Sequence, residues 1–122
     1  HHPTEIRATL AGAKMRYPDR RIWAVWQPHT YSRTQMLFFE FSRAFENADE
    51  VLVTEIYASR EPKQDFSSAE VVSAMPHPSA RYSGSLGETK DFLLKNLRAG
   101  DVVIVLSAGD ADQISSGLLK EM

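Results

Sequence analysis

The sequence predicts a three-layer α/β domain, Rossmann-like, with a mostly parallel sheet between helices. Three observations carry this reading. Short β-rich runs at 22–26, 51–57 and 102–106 alternate with segments whose apolar residues recur at helical spacing. The β-rich runs are almost continuously apolar, as suits parallel strands covered on both faces. The segments between them carry helix-cap and turn residues where a strand would have to stop.

Taken in order, Pro3 suits the first positions of a helix, Thr4 can cap it, and Ile6, Leu10 and Ala13 form its apolar face. Tyr17-Pro18-Asp19-Arg20 is a turn. Ile22–Trp26 is the first strand, followed by a polar turn over 27–34. A helix then runs to about Asn47, with Leu37, Phe41, Ala44 and Phe45 on one face. Met36, Phe38 and Phe39 widen that face, which predicts a well-buried helix. Val51–Tyr57 is the second strand and 58–66 a polar loop. Ser67 and Glu70 have capping-box spacing and open a short helix to about Met75, which Pro76 and Pro78 stop.

Arg81-Tyr82 is a short strand candidate. Ser85 and Glu88 repeat the capping-box spacing. Leu86, Leu93, Leu94 and Leu97 then mark the core face of a helix ending near Arg98, with Gly100 suited to its C-terminal cap. Asp101–Leu106 is the clearest strand. It opens into the turn Ser107-Ala108-Gly109-Asp110 and a last helix with Ile114 and Leu118, capped by Asp110 or Asp112. Right-handed crossovers bring the carboxyl ends of parallel strands to one edge, so loops 27–34, 57–66 and 107–112 should share it.

Bulk properties narrow the function. At 122 residues, 43% apolar and 25% charged, the chain is long enough for one core and ordinary for a globular domain. A net charge of −2 gives no overall drive toward nucleic acid or an anionic membrane. No apolar run approaches the ~20 residues that span a bilayer. The absence of cysteine excludes disulfides, thiolate metal sites and a cysteine nucleophile. The chain starts at His1 without methionine, which reads as a processed product or a piece of something longer.

The 27–34 turn is the main candidate site. It sets His29, three hydroxyls (Thr30, Tyr31, Ser32) and Arg33 between a strand and a helix, where open α/β sheets bind ligands. The first amides of a helix lack partners and face the positive end of its dipole, so a carboxylate or phosphate is the natural guest. A capped helix with an exposed arginine explains the same residues about as well. Ser107–Asp110 is more simply a tight turn with an aspartate cap, and Tyr57 and Arg60 a solvated loop. Glu40, Glu46, Asp49 and Glu50 read as a solvated acidic patch, and His77, between two prolines, as a solvated loop residue. Neither G-x-x-x-x-G-K-S/T nor G-x-G-x-x-G occurs, and no histidine spacing supports a metal site.

Two stretches lift the reading above those even odds. His1-His2-Pro3-Thr4-Glu5-Ile6 is similar to the latter part of the D-Y-A/G-H-H-P-T-E motif. Gln27-Pro28-His29-Thr30-Tyr31-Ser32-Arg33-Thr34 is similar to Q-P-H-x-Y/F-S/T-R-T. Both motifs belong to the Mur ligases, and the chain resembles their C-terminal domain over essentially its whole length. The octapeptide points to the branch that joins L-alanine to UDP-N-acetylmuramate in peptidoglycan synthesis. The resemblance also suggests an antiparallel edge strand near Arg81-Tyr82.

What the resemblance implies is a three-domain cytoplasmic enzyme, of which residues 1–122 are the C-terminal domain. The other two domains of the same chain would hold the UDP-sugar and, through a P-loop, ATP with magnesium. ATP would phosphorylate the lactyl carboxylate, and the amine of L-alanine would attack the acyl phosphate. The C-terminal domain would close the site and place the amino acid, and alone would be inactive and bind no cofactor. Carried over residue by residue, His29, Thr30, Ser32 and Arg33 would face the amino acid, with Ser107, Ala108, Gly109 and Asp110 approaching the same place. Arg33 would pair with the alanine carboxylate, helped by the helix N-terminus. His1 and His2 would lie on the nucleotide side. Thr30 departs from members with a second arginine there, which leaves more of the carboxylate to Arg33. Two alternatives stay open: a murein tripeptide ligase, and a non-catalytic α/β module that captures a carboxylate or nucleotide.

Overall fold

Four strands pair in parallel in the order β3-β2-β1-β4 in the computed structural model, which describes residues 2–107. The strands are β1 (Ile22–Trp26), β2 (Glu50–Thr54), β3 (Ala80–Gly84) and β4 (Val102–Leu106). The helices are α1 (Pro3–Arg16), α2 (Tyr31–Met36), α3 (Phe38–Ser42), α4 (Ser68–Ala74) and α5 (Leu86–Asn96). The expected α/β sheet is therefore present. The expected antiparallel edge is not: β3 forms around Arg81-Tyr82 but lies parallel to β2. The reason is the crossover. Helix α4 carries the chain back across the sheet, so β3 starts at the same edge as β2.

Two cores fill the layers. Ile6, Leu10 and Ala13 of α1 pack with Ile22, Ala24 and Trp26, with Phe41 and Phe45, and with Val51, Val53 and Val71 on one face. Trp23, Val25, Leu52 and Leu93 form the other, where Leu86 and Leu94 of α5 and Leu97 just after it close over it. Alternate residues of β1 and β2 thus enter opposite cores, which is why both strands are apolar throughout.

Local chemistry sets most boundaries. Ser67 with Glu70 and Ser85 with Glu88 form the capping boxes read from their spacing. At α1 the cap is His2, not Thr4: Nδ1 of His2 accepts the Thr4 amide at 3.1 Å, and Glu5 accepts the His2 amide. The long helix expected after β1 breaks at Leu37 (φ −108°, ψ 26°) into α2 and α3. Phe41 and Phe45 reach Trp26, at 4.7 and 5.2 Å between ring centroids, while Met36 and Phe39 stay exposed. Helix α5 ends at Leu97, and Gly100 (φ 91°) turns the chain into β4 instead of capping the helix. The expected last helix, with Ile114 and Leu118, lies outside the described residues.

The connections β1→β2 and β2→β3 step one way across the sheet, and β3→β4 returns to the other side of β1. The winding therefore reverses between β1 and β4. The carboxyl ends of those two strands flank the crevice where doubly wound sheets bind ligands.

Candidate functional site at the carboxyl end of β1

Residues 27–34 leave β1 at that crevice. The Gln27 amide donates to Leu106 O at 3.0 Å, and Ser107 Oγ donates to Gln27 Oε1 at 2.8 Å. The first residues beyond β1 and β4 are thus tied together. On the other side the loop after β2 docks. The Thr30 amide donates to Tyr57 O at 2.8 Å, and the Tyr57 amide to Pro28 O at 2.9 Å. The rings of His29 and Tyr57 lie 5.7 Å apart, both half-buried. The three loops expected at one edge do meet, as far as the described residues extend. Ala108, Gly109 and Asp110, like His1, lie outside them.

Thr30 holds φ 64°, ψ 148°, a conformation open in practice only to glycine. A β-branched residue there stores about 1–3 kcal/mol of strain. Its side chain gives part of that back: Oγ1 accepts the Arg33 amide at 3.3 Å, and its carbonyl accepts Thr34 Oγ1 at 2.7 Å. The strained residue sits at the centre of the octapeptide that carries the family resemblance.

The positive end of α2 is already answered from within the chain. Glu61 Oε1 accepts the amides of Tyr31 at 2.6 Å and Ser32 at 3.1 Å, and Oε2 accepts the Ser32 hydroxyl. This corrects the expectation that those amides await a ligand's carboxylate. The Ser32 hydroxyl holds the Glu61 carboxyl below the usual glutamate range; partial burial opposes this, and the two amides add to it. Spacing could not have revealed the contact, since it joins residues 30 apart. One signal was legible: α2 has no acidic residue in its first turn.

Arg33, in contrast, has no such partner among the described residues. It is half-buried, forms no ion pair among the described residues, and its Nε is buried without an acceptor. A buried donor left unpaired costs about 1–3 kcal/mol, so it calls for an anion or a carbonyl from elsewhere. On the Glu61 side of the turn an open groove of about 640 Å³ runs along Tyr31, Glu55, Glu61, Asp65 and Tyr82. Burial, with Glu55 and Glu88 nearby, pushes the Tyr82 phenol up.

Other expectations are redirected. His2 spends its Nδ1 on the α1 cap. His77 is no solvated loop residue: Nε2 bonds Ala48 O at 2.7 Å and Nδ1 accepts the Ser79 amide at 3.0 Å, a clamp that needs a neutral ring. Asp49, read as part of a solvated patch, accepts the Ile22 amide at 2.7 Å and fixes the start of β1.

With this geometry in place, comparison with known proteins decides the family. Residues 1–109 match the Mur ligase, glutamate ligase domain. The chain belongs to the Mur ligase family. A UDP-N-acetylmuramate–L-alanine ligase of Desulfitobacterium hafniense is 47% identical over 98% of this chain, which spans 27% of that relative's length. The crystal structure of UDP-N-acetylmuramate-alanine ligase from Thermotoga maritima matches 99% of the chain with a TM-score of 0.74 at 25% identity. A murein peptide ligase from Psychrobacter arcticus matches 98% with a TM-score of 0.77 at 26% identity. The chain covers 24% and 25% of those two structures, so it spans about a quarter of the Mur ligases it resembles.

Proposed function

We propose that the chain is the C-terminal domain of an ATP-dependent ligase that joins L-alanine to UDP-N-acetylmuramate, and that it places the amino acid in the closing site. The observation that carries this is Arg33. A half-buried guanidinium with an unpaired Nε stands in the family motif, at the edge where the winding of the sheet reverses. Its role is to hold the alanine carboxylate so that the amine faces the acyl phosphate. A charge-assisted hydrogen bond contributes about 1.5–3 kcal/mol, and fixing the nucleophile's direction lowers the barrier further. His29, Thr30 and Ser32 frame the arginine, and Ser107 leads the opposite wall.

The residues present do not fit ATP or magnesium. The sequence has no phosphate-binding loop, and no three His, Asp or Glu residues group as metal ligands among the described residues. When bound, those groups would supply the activated acyl phosphate, and their ligands would come from the two other domains. Among the described residues, no helix is long and apolar enough to cross a membrane. The chain alone would bind one end of one substrate and do no chemistry.

The test is the full-length protein supplied with ATP, magnesium and UDP-N-acetylmuramate. Phosphate release that depends on L-alanine supports the reading. Release that depends instead on a tripeptide moves the chain to the murein peptide ligases, whose fold it also shares. No release with either leaves the binding-module reading.

A further inference from the structure

We infer that Glu61 is a positioning residue of the amino-acid site, acting through the turn that carries Arg33. This rests on the proposed role of Arg33 and adds to it. A six-residue helix makes few hydrogen bonds of its own and is not stable by itself. Glu61 receives two of its free amides and one hydroxyl from consecutive residues, Tyr31 and Ser32. Arg33 is the next residue, and its amide is held by Thr30 Oγ1. The loop that carries Glu61 also pairs with Thr30 and Pro28 through Tyr57. The segment from Pro28 to Arg33 is thus gripped from one side by residues 57–61, and the carboxylate is the end of that grip nearest the arginine.

Two consequences distinguish this from a placeholder that the substrate's carboxylate displaces. A placeholder competes with alanine, so its removal tightens binding. A positioning carboxylate leaves the arginine loosely placed when it is removed, so binding weakens. A small free carboxylate of the same shape should then refill the vacated acceptor position and restore the turn.

The experiment uses the full-length enzyme with Glu61→Ala, Glu61→Gln and Ser32→Ala, assayed for KM of L-alanine and of ATP with and without formate. We expect Glu61→Ala to raise KM for alanine about tenfold or more, with KM for ATP within about twofold. Glu61→Gln, which keeps one acceptor for the amides, should recover much of the loss, and formate should lower KM in Glu61→Ala but not in the parent. Ser32→Ala, which removes one donor, gives a smaller rise and serves if Glu61→Ala does not fold. An alanine KM that is unchanged or lower in Glu61→Ala overturns the inference. So does a loss shared equally with ATP that neither glutamine nor formate restores. If Arg33→Ala raises KM for alanine while the Glu61 variants do not, only this inference falls. If Arg33→Ala changes nothing, the underlying reading falls.

Discussion

Glu61 Oε1 lies 2.6 Å from the amide nitrogen of Tyr31, so the positive end of the helix after β1 is met by the chain's own carboxylate. That one contact changes what the site can do. In the proposed site the ligand's negative end would not have two backbone amides to itself, and holding it would fall to the Arg33 side chain. It also explains how a helix of six residues persists at the rim of the sheet.

Because its partners favour the ionised form, Glu61 should titrate below the ordinary glutamate value of about 4.3. The sign follows from linkage. A carboxyl with a depressed folded value stabilises the fold above that range, and the contribution is lost as pH falls through the folded value. Carbon-detected NMR of the Glu61 carboxyl should give a midpoint below the ordinary glutamate value, and Ser32→Ala should move it upward. A midpoint at or above the ordinary value would show that the hydroxyl contact does not exist in solution.

Asp101 anchors the opposite edge. Its Oδ2 accepts from Arg21 Nη2 at 2.6 Å, Arg21 Nε at 3.1 Å, Trp23 Nε1 at 2.9 Å and the Arg98 amide at 3.0 Å. Burial alone would raise its carboxyl; Arg21, the Arg98 amide and the Trp23 indole reverse that and hold it below the usual aspartate range. Asp101→Ala should cost about 3 kcal/mol, the low end for a broken buried pair, because Arg21 keeps 25% exposure. Urea unfolding should show the loss at neutral pH. The gap should shrink as pH falls below the ordinary aspartate range and through the lowered folded value, where the parent's carboxylate also protonates.

Gly84 ends β3 at φ 78°, and a Cβ there would come within 2.8 Å of Glu88 Oε1, the oxygen that accepts the Ser85 amide in the α5 capping box. Gly84→Ala therefore carries both backbone strain and a displaced cap. Thermal unfolding should show a destabilisation of about 1–2 kcal/mol. Glu88→Ala in the same background should recover part of the steric share.

Much of the fold was legible in local chemistry. Both capping boxes, the three apolar strands and the face of α5 follow from spacing within a few residues. The failures share one cause, which is that contacts distant in sequence decided the outcome. The helix after β1 splits because Phe41 and Phe45 must reach Trp26 while Thr30 and Glu61 fix its start. The strand at Arg81-Tyr82 takes its direction from the α4 crossover, which its own residues do not encode. For the site, the motif led to Arg33 and Thr30. Glu61, in an unremarkable polar loop, emerged only when β1 and β2 were placed side by side.

The proposed role of the Arg33 guanidinium is to hold the amino acid's carboxylate. The direct measurement is KM for L-alanine and for ATP in the full-length enzyme carrying Arg33→Ala. The predicted result is a rise of about ten- to a hundredfold for alanine, the loss of one charge-assisted contact, with ATP within about twofold. Equal changes for both substrates, or none for alanine, would contradict it.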